Sequence, residues 1–530
     1  MIYKEMPKEG LNVTQARDLR TSDDIVLNVD VVVVGSGTGG AVIAHELAAT
    51  GKSVVILEAG RYIPSSQFTE DMAWSLENLY KDVGTQTNTI GDMVVLEGNC
   101  VGGSSVISAA IATRAPDYVL QEWATKHGIP GVSPENLSKY YEKVEKRLHV
   151  HLNEPHEIND TANTIIRGCE ALGWSWRPQS RNVKQCALTG HCLAGCPSDR
   201  KTSMQVSYLP WAIAAGARLF ADTYVEQVIV RNGRAMGVTG VVRDPDSNDI
   251  VCNIKVNAQL VVSAAGAIQT PLLLQRSGLP NKSNQLGRNL ALHPVVVVLG
   301  KFPVPVYGFR GAFSGMHVDE FLSEEEGRML MESGLAAPVQ LMAQNELSMG
   351  VDHIRFIEEF KYLSALNILV PDSNHGFVHW SGPVRGGSRR IEWNMTRDEF
   401  EQFKIGLKRA GRIFFAAGAE RVYMPTYQRI QATSLEELDQ VVDAIDYGSL
   451  GIFSMRLLSL NAQGSCRMGA DRAQAIVDPF GETYEISGLF VSDASILPSI
   501  SVQHPLLTVA AMAHYIADNI IRRSGSYFWS

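Results

Sequence analysis

The chain is predicted to be an α/β protein, with a Rossmann-like domain that is discontinuous in sequence and an inserted α+β domain built on an antiparallel sheet. Three observations predict this. Near the start, Asp30-Val-Val-Val-Val-Gly35-Ser-Gly37-Thr-Gly-Gly40 leads into an alanine-rich helical pattern and then Ser53-Val-Val-Ile-Leu-Glu58, the order of a strand, a glycine turn, a helix and a second strand. Near the end, the strand-like Leu489-Phe-Val-Ser, Asp493-Ala-Ser and an apolar helix from Pro505 return to the same texture. Between them, residues 301–450 carry aromatic segments such as Phe302-Pro-Val-Pro-Val-Tyr-Gly-Phe309 and His379-Trp-Ser-Gly-Pro383, and share no motif with either flank.

Each early element has a physical reason. The valines after Asp30 are β-branched and suit a buried strand. Gly35 and Gly37 let the backbone turn tightly and approach a pyrophosphate, and Gly40 lets the helix sit close to the sheet. Glu58 ends the second strand, where a carboxylate accepts hydrogen bonds from a ribose 2′-hydroxyl and repels a 2′-phosphate; this favours FAD or NAD over NADP. A second glycine cluster, Glu97-Gly98-Asn-Cys100-Val-Gly102-Gly103-Ser104-Ser105, allows close approach to an anion or a flat ring. Residues 208–266 alternate as strands of a sheet, and Thr270-Pro271 is expected to open a helix. Asp398–Ala417 has helical periodicity.

The expected organisation is an N-terminal arm over 1–25, the first part of the nucleotide domain over 26–300 with a cysteine-rich loop at 182–200, a substrate domain over 301–450, and the remainder of the nucleotide domain over 451–530.

Bulk properties narrow the function. The 530 residues hold 47 basic and 56 acidic side chains, a formal charge of −9, with no run of either sign; nucleic acid is not an expected partner. No stretch of about 18 apolar residues is present to span a bilayer. The polar N-terminus has no secretory apolar core and no twin arginine, so the expected location is the cytoplasm. Seven cysteines are too few and too unevenly spaced for a disulfide framework, so thiols or metal ligands are expected.

Together the glycine motif with Glu58, Gly102-Gly103-Ser104-Ser105, Gly266-Ala-Ile-Gln-Thr270-Pro271, Leu286-Gly-Arg-Asn289-Leu-Ala-Leu-His293-Pro294, Gly464-Ser-Cys-Arg-Met-Gly469 and Asp493-Ala-Ser-Ile-Leu-Pro498 with Pro505-Leu-Leu-Thr resemble, in content and order, the glucose-methanol-choline (GMC) family of FAD-dependent oxidoreductases. The resemblance implies oxidation of a small-molecule alcohol to an aldehyde or ketone, by hydride transfer to N5 of FAD, with O2 or another electron acceptor. It implies a cofactor cradle of Gly35, Gly37, Thr38, Gly40, Glu58, Gly102, Gly103, Ser104, Ser108, Val225, Asp493, Ala494, His504, Pro505 and Leu506. The family's covalent flavin attachment uses a histidine near the second glycine cluster. No histidine lies between His45 and His127, so dissociable FAD is expected, with Cys100 the one local nucleophile able to form a thioether.

Alcohol oxidation needs a base for the hydroxyl proton, and histidine is the natural group. The resemblance places the catalytic pair at Asn461 and His504, with identities exchanged relative to the family's commonest arrangement. His504 is then the base and Asn461, whose amide is no base at neutral pH, orients the hydroxyl. Pro505 suits the first helical position, making His504 the expected N-cap, where the helix end disfavours imidazolium. If these roles fail, a redox-neutral lyase or isomerase on the same fold is the alternative. The uncharged segment from Phe302 to Phe309 points to an apolar pocket for a long-chain, terpenoid, steroid or aromatic alcohol.

Cys186, Cys192 and Cys196, followed by Pro197, resemble the iron-sulfur segment of bacterial FAD-dependent glucose dehydrogenases, implying as a further alternative a sugar dehydrogenase that passes electrons through a cluster. Zinc with His191 as fourth ligand, or a structural loop, fits the same spacing.

Overall fold

The fold was described from a computed structural model covering residues 10–19, 23–335, 351–428, 430–448, 451 and 454–528. Residues 1–9 and 20–22 of the predicted arm and the boundary at 450 lie outside these residues.

The valine strand is Ile25–Val34 and is flanked by two parallel neighbours. Val31–Val34 pairs in register with Val54–Leu57 on one side, and Ile25–Val34 pairs with Ile254–Ser263 on the other. Being covered on both faces, Val31, Val32 and Val33 have no exposed surface, as a continuous apolar run requires. Arg218–Phe220 extends the sheet beyond Val54–Leu57, and Leu489–Val491 joins alongside Val261–Ser263, bringing the C-terminal part into the same layer. Thr223–Arg231 and Arg234–Arg243 complete it as an antiparallel edge. The helix Thr38–Ala48 packs against the apolar helix Leu506–Arg522.

Three expectations on local structure are corrected. Within the region expected to be an arm, Val13–Thr14 is an edge strand paired with Leu219–Phe220; two residues are too short for a period-2 signal. The helix after Ser263 begins at Gly266 and carries Pro271 inside it. A proline there frees the carbonyl four residues back, and Ser465 Oγ donates to that carbonyl, of Ala267, at 2.5 Å. The last helix starts at Leu506, with Pro505 as its cap, so His504 lies one residue outside the expected N-cap position.

The second sheet is antiparallel apart from one pair, as predicted, but it is not confined to 301–450. Val295–Lys301, Leu363–Leu369, Leu330–Ser333 and Met316–Val318 form its centre, while Trp176–Pro178, Met93–Val95 and Leu457–Ser459 join from outside that span. The helix Arg397–Ala416 covers one face. Thr396 Oγ1 accepts from the Glu399 N–H and Glu399 accepts from the Thr396 N–H, a reciprocal cap. Strand alternation divides the side chains between faces: Val296 and Val298 join the core with Phe403, Leu407 and Phe414, whereas Val295 and Val297 face a cavity against the first sheet.

Candidate active site and cofactor cradle

One cavity runs between the two sheets and gathers the predicted site. Gly35, Gly37, Thr38, Glu58, Gly103, Ser104, Ser108, Val225, Asp493, Ala494, Asn461, His504, Pro505 and Leu506 all line it. Gly40 and Gly102 do not; they act by close packing. A Cβ on Gly40 would lie 2.0 Å from the Gly35 carbonyl oxygen, and Gly102 has φ +95°.

The turn is shaped for a phosphate. Gly35 has φ +99°, and a Cβ there would meet the Ala264 carbonyl oxygen at 2.3 Å. The space before Gly37 is open, with only Gly103 Cα at 4.0 Å from a Cβ placed there. No side chain caps the helix starting at Thr38 or the one starting at Leu506. Free N–H groups and the positive ends of two helices therefore meet the cavity.

Glu58 is held by a partner that the motif reading passed over. Ser36 donates its backbone N–H at 2.8 Å and its hydroxyl at 2.7 Å to one carboxylate oxygen; the Gly60 N–H donates to the other at 2.9 Å. The Gly102 N–H in turn donates to Ser36 Oγ at 2.9 Å, so one serine fastens the two glycine clusters together. Burial pushes the Glu58 carboxyl above its ordinary pKa, against these donors. A carboxylate accepts about four hydrogen bonds, which leaves room for a ribose hydroxyl. Asp493 is held from three sides: it accepts from the Gly266 N–H (2.9 Å), Thr270 Oγ1 (2.5 Å) and the Ser495 N–H (2.8 Å). Cys100 does not line the cavity, and burial raises its pKa, keeping the thiol protonated.

At the other end the predicted pair, Asn461 and His504, is brought together from distant segments. His504 Nδ1 lies 3.2 Å from Asn461 Oδ1, and Asn461 Nδ2 lies 3.3 Å from His293 Nδ1. His504 Nε2 faces Glu332, 3.0 Å from each carboxylate oxygen. Neither Glu332 nor His293 was assigned a role from sequence. Glu332 is one residue of a short strand without a motif, an acid following Leu330 and Met331. His293 is wholly buried with φ +48°, and burial, then the neighbouring His504, lowers its pKa to about 3. It is therefore a neutral support for Asn461. With the amide placed this way, Nδ1 of His504 carries a hydrogen donated to Asn461, and Nε2 is the nitrogen left facing Glu332. The expected helix-end environment of His504 is thus replaced by a carboxylate on one ring nitrogen and an amide on the other.

Cys186 and Cys192 approach each other around Arg181, whose Nη2 lies 3.7 Å from each sulfur. Cys196 accepts from the Lys201 N–H at 3.5 Å. Among the described residues no group of three or more His, Cys, Asp or Glu side chains is placed to hold a metal ion, and His191 has Glu70 at 3.9 Å.

Comparison with known proteins bears on this geometry. The sequence profile of the GMC oxidoreductase family matches residues 76–295 with its N-terminal part and 371–513 with its C-terminal part. A GMC-type oxidoreductase of Mycobacterium tuberculosis is 32% identical over 94% of this chain and 76% of the relative. The chain belongs to the GMC oxidoreductase family. It is an FAD-dependent alcohol oxidoreductase. A profile for an NAD(P)-binding Rossmann-like domain covers 33–71, the glycine turn and its strands. Among further GMC relatives, long-chain-alcohol oxidase FAO3 of Arabidopsis thaliana is 31% identical, covering 94% of this chain and 69% of the relative. Pyridoxine 4-oxidase from Mesorbium loti shares the fold, with a TM-score of 0.67 and 19% identity over 93% of this chain and 99% of that one. A variant of Aspergillus oryzae formate oxidase does likewise, with a TM-score of 0.70 and 14% identity over 95% of this chain and 99% of that one. The cradle described above fits FAD: the open glycine turn would receive the pyrophosphate, Glu58 the ribose, and the Leu506 helix end the polar edge of the flavin ring.

Proposed function

We propose that this GMC oxidoreductase oxidises a hydrophobic alcohol, with His504 taking the hydroxyl proton and Asn461 holding the imidazole and the hydroxyl in place. The observation that carries the reading is the hydrogen-bonded pair itself: Nδ1 of His504 is engaged by Asn461 at 3.2 Å, which leaves proton transfer to Nε2, the nitrogen facing Glu332, and all three residues line the cavity. FAD, when bound, supplies the acceptor for the hydride of the carbinol carbon. The chain's residues manage the proton. Glu332, 3.0 Å from Nε2, gives that proton a second resting place, and His293 holds Asn461 from behind.

The pocket wall supports an apolar substrate. Val295, Val297, Leu369, Leu458, Leu460 and Phe313 face the cavity, with Glu332 and Asn367 as the polar exceptions on the sheet. Such a wall favours a substrate that loses apolar surface to water on release. The relatives named as long-chain-alcohol oxidases point the same way.

The test is anaerobic mixing of the holoenzyme with an alcohol panel while flavin absorbance is followed. Long-chain or aromatic alcohols are expected to bleach the flavin and free sugars to leave it oxidised. A flavin that no alcohol bleaches would favour the redox-neutral reading, and preferential bleaching by a sugar would remove the apolar substrate. Oxygen consumption with peroxide release then separates an oxidase from a dehydrogenase.

A further inference from the structure

Arg181 has no exposed surface, yet among the described residues it makes no hydrogen bond to a carboxylate. Its Nη2 reaches Cys186 Sγ and Cys192 Sγ, at 3.7 Å each, and its buried Nε and Nη1 have no hydrogen-bond partner among the described residues. Glu157 acts on it through its charge, but that carboxylate accepts from the Glu154 N–H and lies 3.4 Å from His151. A second buried base stands beside the same loop. Lys201 Nζ donates to the carbonyls of Val106 (2.6 Å), Cys192 (2.7 Å) and Ser108 (2.9 Å). Burial draws the Lys201 pKa down, while the sulfurs of Cys192 and Cys196, with the more distant Cys100, favour its charged form.

A buried cation without a matching anion is strongly unfavourable. Among the groups whose charge acts most strongly on Arg181 and Lys201, those able to be negative are Glu157 and the thiols of Cys186, Cys192, Cys196 and Cys100. Cys192 is acted on by both cations, whereas Cys186 accepts from Arg181 and from the Leu188 N–H at 3.5 Å. Both sulfurs belong to half-buried residues. A guanidinium between them competes with any metal cation for the same lone pairs.

We propose that Cys186 and Cys192 form a peroxide-reactive thiol pair in which Arg181 holds Cys192 as the thiolate. The thiolate attacks one oxygen of a hydroperoxide, the O–O bond breaks, and the departing oxygen takes a proton as water or alcohol, leaving a sulfenic acid on Cys192. The Cys186 sulfur then attacks the Cys192 sulfur. The S–S bond forms, the S–O bond breaks, and the hydroxyl leaves as water with the Cys186 proton. Two thiols give up two electrons and the peroxide accepts them. The loop is tied to the cofactor cradle, because Leu193 and Ser108 line the cavity and Lys201 joins the Ser108 carbonyl to that of Cys192. Oxidation of the pair is therefore felt next to the flavin.

The experiment uses the full-length holoenzyme. Alkylation by iodoacetamide across pH 5.5–9.5, mapped by mass spectrometry, is expected to label Cys192 about tenfold faster than free glutathione at pH 6.5, with a rate that has already levelled near neutrality. Limiting hydrogen peroxide is expected to yield a Cys186–Cys192 disulfide that dithiothreitol reverses. Cys186→Ser should instead leave a sulfenic acid on Cys192, trapped by dimedone. Arg181→Met should slow the labelling about tenfold and Arg181→Lys should retain most of it. A Cys192 rate that climbs with pH like that of an ordinary thiol overturns the proposal, and that measurement needs no variant. So does peroxide that leaves both thiols free, or stoichiometric iron or zinc bound to the three cysteines of the purified protein.

Discussion

Nε2 of His504 lies 3.0 Å from both carboxylate oxygens of Glu332, a contact that joins the entry of the last helix to a strand of the substrate-side sheet. The two residues are 172 positions apart, and together with Asn461 they form a proton-holding unit drawn from three segments. Replacing Glu332 by Gln keeps shape and hydrogen bonding but removes the second proton site. The expected result is a fall in kcat of about 10- to 100-fold with FAD content unchanged, the scale on which a positioned proton acceptor acts. Stopped-flow flavin reduction checks it, and an unaltered rate would remove Glu332 from the proton path.

His504→Ala removes the base itself. Anaerobic reduction by the best alcohol of the panel should slow by about 10² or more, while His293→Asn, which acts only through Asn461, should slow it less. A larger effect at 293 than at 504 would reverse these roles.

Ser36 links Glu58 to Gly102 through a hydroxyl that is both donor and acceptor. Ser36→Ala leaves a buried carboxylate short of one donor and a buried N–H short of its acceptor, each costing about 1–3 kcal/mol. FAD affinity should weaken by about tenfold or more, as measured by fluorescence of FAD released on dilution. Acid precipitation of the native protein should also free the yellow colour into the supernatant, since no histidine lies near the second glycine cluster; colour retained in the pellet would mean a covalent bond.

His514 donates or accepts at Tyr208 Oη, 2.8 Å away, and is wholly buried. Burial lowers its pKa to about 4, whereas an unfolded histidine titrates near 6.5. Between these values the unfolded chain binds a proton that the folded chain refuses, so this contribution to stability is present above pH 6.5 and is lost as pH falls. Relative to His514→Gln, the native protein should lose about 2 kcal/mol between pH 7 and pH 5. Comparing the two proteins by urea unfolding at both pH values cancels opposing groups such as Asp372, whose carboxyl burial raises to about 6. Parallel pH dependence in the two proteins would contradict the assignment.

Val297 faces the cavity from the centre of the second sheet. Val297→Asp should raise KM for long-chain alcohols by about tenfold or more, with little effect on short ones, because it places an ionised group against an alkyl chain. An equal effect on both would place the chain elsewhere.

The sequence alone determined the nucleotide half. The valine run, the glycines and Glu58 act within some thirty residues, and each carries its reason in its own chemistry: β-branching for a buried strand, a missing Cβ for φ +99° at Gly35, a carboxylate at a strand end. The family's motifs also placed Asn461 and His504 before any distance between them was known. What only the tertiary structure decided depends on partners far apart in the chain. Pro271 sits inside a helix because Ser465 takes the carbonyl it frees. Strands at 93, 176 and 457 join a sheet centred on 295–369. His504 meets a carboxylate on a motif-free strand, and two cysteines meet around a buried guanidinium. No local pattern encodes such meetings, because burial and charge pairing are settled only when separate segments are packed against one another.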